Sequence, residues 1–548
     1  MNLLESTRPD TGEELLAVED LRISYRRRRT MTTAVDGVSF TIRAGESLAL
    51  VGESGSGKSS IARAVLGLLG GRAEVSGRVR FAGAGEGAAG AGEDLLALPP
   101  KQARRIRGRD IAYIPQDPGG SLDPLRRVID QVTEPLRHHR IGDPATYRDS
   151  ALQALRETGL NDADVLAERW PHELSGGQRQ RVLIATAFVS QPRLIIADEP
   201  TSALDVTVQR QILDRLQRLT ASQGTALLLI THDLAVAAER TDIAIALRQG
   251  QIVDSGVSRT LLTAPDQPYT RALVEAIPGR SGALATIRPP EPVADEPPLI
   301  EVRGAAKTYG HRRHPVKALL PIDLSVRPGD SIGIAGESGS GKTTLARIIL
   351  GLADPDEGTV HIGGRPVSRS DRQSRRIVQP VFQNPHSSFD PARTVGWSVL
   401  EPVRALAPRS RSELRELSAT LFTDVGLDPA LAARRPDELS GGQLQRVAIA
   451  RALALSPRAL VCDEAVSALD VTVQSQILAL LSRLQIEHDL ALVFITHDLG
   501  VLRELCREVL VMREGEVVEQ GRTAAVFDRS EHEYTRELIA AIPSLAAT

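Results

Sequence analysis

Two octapeptides in this chain have the residue types needed to hold phosphate. Gly52, Glu53, Ser54, Gly55, Ser56, Gly57, Lys58 and Ser59 spell GESGSGKS; Gly336, Glu337, Ser338, Gly339, Ser340, Gly341, Lys342 and Thr343 spell GESGSGKT. Glycines at this spacing let consecutive backbone N–H groups curl round phosphate oxygens at a helix N-terminus, where the helix dipole also favours negative charge. Lys58 and Lys342 are expected on the β- and γ-phosphates of ATP, and the Ser59 and Thr343 hydroxyls on Mg²⁺. A single such loop can be a chance glycine turn, whereas two in matching contexts argue for nucleotide.

The supporting chemistry is also present twice. RLIIADEP (Arg193 to Pro200) and ALVCDEAV (Ala459 to Val466) each end an apolar run on an acid pair. Asp198 and Asp463 suit a metal that prefers oxygen ligands, and Glu199 and Glu464 are placed to polarise an attacking water. His232 and His497, each in ITHD, can report a γ-phosphate by hydrogen bonding, although a histidine after a strand is more often structural. Tyr25 and Tyr309 each stand 27 residues before their phosphate loop. They could stack on adenine or simply pack in a sheet.

LSGGQ occurs at Leu174 to Gln178 and again at Leu439 to Gln443. With the phosphate loop, a glutamine after a strand (Gln116 in YIPQDP, Gln383 in VFQNP), the DE pair, SALD and the histidine, it makes a series that occurs in order, twice. On these motifs the chain resembles ATP-binding-cassette (ABC) proteins over nearly its whole length. The resemblance implies an α/β fold of two P-loop NTPase domains in tandem, each with a parallel-sheet core, a small antiparallel β part and a helical signature subdomain. It also implies a head-to-tail sandwich. Ser440, Gly441, Gly442 and Gln443 would close over ATP on the first loop, and Ser175, Gly176, Gly177 and Gln178 over ATP on the second. Gln116 and Gln383 are expected at the nucleotide and its metal.

Narrower features resemble the ATPases of oligopeptide and dipeptide importers, a group that includes relatives handling nickel and glutathione. They are QDPGGSLDP and QNPHSSFDP past the glutamines, and QPYTRALVEAIP (Gln267 to Pro278) and HEYTRELIAAIP (His532 to Pro543) near the end of each half. What this implies is a peripheral ATPase on the cytoplasmic face of the cell membrane, working with two multi-span permease subunits and, indirectly, an extracytoplasmic solute-binding protein. The cluster-binding cysteines of some members are missing, so no iron-sulfur cluster is expected. The halves are not identical: Ala465 and Val466 stand where the first has Pro200 and Thr201, and Arg451 where it has Thr186. These departures question whether the two sites are equally active.

Positioning such groups needs two cores, and 548 residues supply enough chain for two or more domains. The apolar runs Ser47 to Val51 and Leu194 to Ala197 read as buried parallel strands, Leu15 to Tyr25 and Ile300 to Tyr309 as alternating ones, and Tyr147 to Leu166 and Arg411 to Val425 as helices. The expected domains are 1–278 and 299–548, joined by a proline-rich linker over 279–298 that could reach roughly 60 Å if extended. Gly52 to Gly336 is an offset of 284 and Leu174 to Leu439 one of 265, so the first half carries 19 extra residues. The Gly/Ala-rich stretch Ala82 to Glu93 is their obvious source.

The remaining composition narrows the partners. Lys and Arg (66) nearly balance Asp and Glu (69), which gives no electrostatic case for nucleic acid. The N-terminus is polar and acidic, unlike a signal peptide, and no apolar run approaches the roughly 20 residues that span a bilayer. Two cysteines make no disulfide framework. A soluble two-cassette ATPase acting on ribosomes would need a long charged helical linker, and a chromosome or DNA-repair ATPase a long coiled coil. Neither feature is seen.

Overall fold

The computed structural model describes residues 12–27, 30–82, 92–202, 204–278, 296–310, 315–368, 371–467, 469–543 and 545. Most of the expected linker and of the Gly/Ala-rich stretch lies outside the described residues. The chain forms two compact units, divided after Glu275.

In the first unit the strands are β1 (Glu14–Arg27), β2 (Thr30–Arg43), β3 (Ser47–Val51), β4 (Ala73–Phe81), β5 (Glu93–Asp94), β6 (Ile111–Ile114), β7 (Leu194–Asp198), β8 (Ala226–Ile230), β9 (Ile243–Arg248) and β10 (Gln251–Val257). Five of them, β9-β3-β8-β7-β6, run parallel, with β10 antiparallel on the edge. β3, β7 and β8 are short apolar runs because both their faces are covered. A second, antiparallel sheet, β2-β1-β4-β5, packs its inward residues (Leu16, Leu21, Ile23, Phe40, Val79) with the helix Lys58–Val65 into one core.

The segment between Gln116 and β7 is helical and has its own small core around Val128, Val132, Ala151, Leu155 and Val182. The helical spacing expected over Tyr147 to Leu166 is interrupted. The helix stops at Glu157, because Gly159 turns left-handed (φ +87°) and its N–H closes on the Arg156 carbonyl, and a short helix resumes at Ala163–Leu166.

The second unit repeats this plan. β11 (Ile300–Tyr309), β12 (Val316–Val326), β14 (Glu357–Ile362) and β15 (Arg365–Pro366) make the antiparallel sheet. β13 (Ser331–Ala335), β16 (Val378–Val381), β17 (Ala459–Asp463), β18 (Ala491–Ile495), β19 (Glu508–Arg513) and β20 (Glu516–Arg522) form the core sheet in the order β16-β17-β18-β13-β19-β20. The helix expected over Arg411 to Val425 spans Arg411–Asp424 and begins with a capping box between Ser410 and Glu413. Here the helical part and the back of the sheet share one continuous core through Phe422, Val447, Leu478 and Phe494. Among the described residues no helix is long and apolar enough to cross a membrane.

Candidate functional site

Parallel neighbours all point the same way, so the carboxyl ends of β6, β7, β8 and β3 meet along one edge. Such an edge is where ligands bind in open α/β sheets. In the first unit it carries Gln116, the pair Asp198–Glu199, His232 and the phosphate loop.

The loop's shape depends on glycine. Gly52 and Gly57 have φ of +140° and +106°, and a Cβ on either would lie 2.2 Å from the Leu247 carbonyl oxygen or 2.5 Å from that of Ala34. Lys58 is buried and folds back on the loop, donating from Nζ to the carbonyls of Gly52 (2.6 Å) and Glu53 (2.8 Å). Lys342 does the same toward Gly336 (2.7 Å) and Glu337 (2.6 Å), and burial lowers its pKa.

At the end of β7 the Ser59 hydroxyl donates to Asp198 Oδ1 (3.1 Å) and the Tyr113 hydroxyl to Oδ2 (3.2 Å). Burial raises the Asp198 pKa against these bonds, with Glu199 adding to the rise; in the same way burial, and then the charge of Glu464, raise the pKa of Asp463. Tyr113 escaped the sequence reading. The only signal was that the strand residue three before Gln116 is a tyrosine where the second half has Pro380.

Glu199 is the point where the groups converge. Gln116 Nε2 donates to its Oε2 (2.7 Å), and His232 Nδ1 lies 3.3 Å from its Oε1. Glu464 receives Gln383 Nε2, with His497 Nδ1 at 3.5 Å. Each glutamine keeps its amide oxygen as the atom that could face a cation. Both glutamates take the left-handed conformation (φ +47° and +48°), which costs a non-glycine residue about 1–2 kcal/mol. Their N–H groups bond the last carbonyls of β8 and β18, from Ile230 and Ile495, at 2.8 Å each. Burial works to raise Glu199, but the hydrogen bond and charge of His232 hold its pKa below the usual value. Burial works to lower His232, and Glu199 reverses that. Glu464 and His497 shift in the same directions for the same reasons. The histidines are aimed by the next residue: Asp233 and Asp498 cap the following helices, accepting from Ala235 (2.9 Å) and Gly500 (2.9 Å).

In each signature the serine caps a helix, Gly176–Phe188 or Gly441–Leu453. Ser175 Oγ accepts from Gln178 N (3.3 Å) and Gln178 Oε1 from Ser175 N (3.0 Å); Ser440 and Gln443 match this. The two glycines differ in purpose. A Cβ on Gly177 or Gly442 would strike Val208 or Val473 at 2.8 and 2.5 Å, whereas Gly176 and Gly441 have room, with neighbours at 3.8 and 3.9 Å.

The two tyrosines expected to act alike sit differently. Tyr25 is half-buried against the sheet core, with its hydroxyl donating to Ser60 (3.2 Å). Tyr309 is exposed, with the Lys307 ammonium 5.7 Å from its ring centroid. Ala465 and Val466, which directly follow Glu464, are buried in the hydrophobic core of the second unit. Arg451 has a clearer consequence: it donates to the Ser388 carbonyl (2.6 Å) and covers Phe389, tying the signature helix to the segment past Gln383. Thr186 instead bonds its own helix, at Val182 (2.8 Å). A cleft of about 690 Å³ opens here in the second unit, lined among others by Thr343, Gln383, Glu401, Arg451 and Asp463.

Known proteins match nearly the whole chain. The family model described as ABC transporter matches residues 35–202 and 319–467, and one described as oligopeptide/dipeptide transporter, C-terminal region, matches 518–548. The chain is 40% identical over 544 residues to the peptidoglycan transport ATP-binding protein YejF of Agrobacterium fabrum, covering 98% of this chain and 97% of that one. It is 40% identical over 542 residues to the YejF ABC transporter ATP-binding protein of Escherichia coli K12, covering 96% and 99%. To the glutathione import ATP-binding protein GsiA of Escherichia coli O6:H1 it is 38% identical over 568 residues, covering 97% and 90%. With the motif series present twice on two like-folded units, the chain belongs to the ABC transporter family as a tandem, two-cassette ATPase.

Proposed function

We propose that this chain energises an importer of di- or oligopeptides, or of a peptide-like solute, from the cytoplasmic face of the membrane. It would be a peripheral subunit bound to two multi-span permeases that receive solute from an extracytoplasmic binding protein. The C-terminal match to the oligopeptide/dipeptide transporter region and the names of the relatives support this choice of solute. The domain limits 1–278 and 299–548, with 279–298 as a tether, belong to the same proposal.

The observation that carries the chemistry is the doubled cluster in which one glutamate meets a glutamine and a histidine beside a glycine-built loop. Lys58 and Lys342 would exchange the loop carbonyls for phosphate oxygens when ATP enters. Ser59 with Asp198, and Thr343 with Asp463, offer the oxygen-only donors that suit Mg²⁺, and the 3.1 Å contact between Ser59 and Asp198 already brings one such pair together. Bound there, Mg²⁺ would neutralise charge on the β- and γ-phosphates. Glu199 and Glu464 would accept a proton from, and orient, the attacking water, while His232 and His497 hold those carboxylates ionised. Ser175, Gly176, Ser440 and Gly441 would present the second anion-binding surface to the opposite cassette's nucleotide. Gln116 and Gln383, bonded to the glutamates, would relay the state of the site to the permeases. Tyr309, and to a smaller extent Tyr25, would face the adenine.

Vesicles carrying this chain with its permeases and binding protein should accumulate labelled peptide in an ATP-dependent way, and vesicles with the chain alone should not. Uptake by the chain alone would overturn the importer-subunit reading. Retention of nickel, and of no peptide or glutathione, by the cognate binding protein would overturn the choice of solute.

A further inference from the structure

The segments QPYTRALVEAIP and HEYTRELIAAIP have no part in the chemistry above, yet each folds back on its own phosphate loop. They form the helices Pro268–Glu275 and Glu533–Ala540. The three residues of each Tyr-Thr-Arg have separate tasks. The arginines fasten the turn that leads into the helix: Arg271 donates to the Pro265 and Asp266 carbonyls (both 3.3 Å), and Arg536 to those of Ser530 (3.2 Å) and Glu531 (2.8 Å). The threonines are buried under the helix, and the Thr270 hydroxyl donates to Asp254 (2.7 Å).

The tyrosines reach the loop. Glu53 N–H donates to the Tyr269 hydroxyl (3.4 Å), which itself donates to the Leu247 carbonyl (3.2 Å). Glu337 N–H donates to the Tyr534 hydroxyl (3.1 Å). The contacts are made at the strand ends on which the loops rest, since a Cβ on Gly52 would lie 2.2 Å from that same Leu247 oxygen and one on Gly336 2.2 Å from that of Met512. Each ring is held in turn by an arginine of the same strand. Arg248 lies 5.1 Å from the Tyr269 centroid and Arg513 4.9 Å from that of Tyr534. Tyr534 is buried, and burial pushes its hydroxyl up to about 12, so it stays a neutral hydrogen-bonding group.

We infer that Tyr269 and Tyr534 are positioning residues of the two nucleotide sites: their hydroxyls pin the start of each phosphate loop, so that the C-terminal extension holds the loop in its receiving shape. A glycine-rich loop has much conformational freedom to lose on binding. Fixing the Glu53 and Glu337 amides beforehand removes part of that cost from ATP binding. The inference rests on the reading of Gly52–Ser59 and Gly336–Thr343 as the phosphate sites.

The test uses the full chain with Tyr269→Phe, Tyr534→Phe and the double variant, which keep the ring under its arginine and remove only the hydroxyl. A neutral hydrogen bond is worth about two- to tenfold in an equilibrium. ATP dissociation constants, read with a fluorescent analogue, and KM should rise by about that factor, more for Tyr534→Phe because its bond is shorter. The rate at saturating ATP should stay unchanged, and the melting temperature should fall by no more than a few degrees. Hydrogen exchange in the nucleotide-free protein should quicken in peptides covering 52–58 and 336–342. Unchanged affinity and exchange in the folded double variant would overturn the inference, as would a fall in saturated rate with no change in KM. Lys58→Ala and Lys342→Ala separate the two levels. If these keep full ATP affinity, the phosphate-site reading itself fails. If they lose it while the phenylalanine variants do not, only the role of the tyrosines fails.

Discussion

Glu199→Gln and Glu464→Gln remove a carboxylate while keeping the size and most of the contacts of the side chain. The Oε2 that accepts from Gln116 at 2.7 Å can be replaced by an amide oxygen, and the amide nitrogen can face the histidine at the position of Oε1. ATP binding should therefore survive. What is lost is the proton acceptor, and general-base assistance is worth about 10²–10⁴ in rate, or roughly 3–5 kcal/mol of barrier at 1.36 kcal/mol per decade. The two sites have nearly the same geometry, with histidine contacts of 3.3 and 3.5 Å and glutamate φ values of +47° and +48°. Both are thus expected to turn over. If they fire cooperatively, either single variant should bring total hydrolysis in the assembled transporter well below half. Steady-state phosphate release, with ATP affinity measured in parallel, decides the matter. A nearly silent Glu464→Gln beside a Glu199→Gln that abolishes activity would refute the two-site reasoning and make Ala465 and Val466 the marks of a binding-only site.

Gly442→Ala should destabilise the second unit by about 1–3 kcal/mol, because its Cβ meets Val473 at 2.5 Å, whereas Gly441→Ala should leave the melting temperature within a degree or two. Tyr113→Phe should raise the Mg²⁺ concentration needed for half-maximal ATP binding at the first site by about two- to tenfold, since Asp198 loses one of its two side-chain hydrogen bonds. No change in that titration would refute the assignment. The Glu–His pairs also set a pH dependence of stability. His232 and His497 are raised in the folded chain, so their contribution is complete below the unfolded value near 6.5 and is lost as pH rises through the folded value. Glu199 and Glu464 are lowered, so theirs is present above the unfolded value near 4.5 and is lost as pH falls through the folded one. Melting curves should therefore show an alkaline decline above about pH 6.5 that flattens in Glu199→Gln, and an equal decline in that variant would refute the coupling.

Much of the site was legible in the sequence because it is written in short motifs. The glycines, Lys58, Ser59, the DE pairs, Gln116, His232 and LSGGQ are each local, and local spacing is enough to say what a loop or a helix start can bind. The strands at Ser47 to Val51 and Ile300 to Tyr309 were legible as well, since apolar runs bounded by turn residues have few alternatives. The helix expected over Tyr147 to Leu166 is too long because the apolar spacing continues across Gly159, whose left-handed turn is a property of the backbone.

What only the tertiary structure decided is which groups meet. Gln116 and Glu199 are 83 residues apart in the chain, and they touch because β6 and β7 are neighbours and parallel, a strand order that no spacing encodes. The same holds for Tyr113 on Asp198, for Tyr269 and Tyr534 under the phosphate loops, and for the separate fates of Tyr25 and Tyr309. A motif fixes the chemistry that a segment can offer; the partner it is offered to depends on the packing of residues far away in sequence, where one crossover or one buried valine determines what comes within hydrogen-bonding distance.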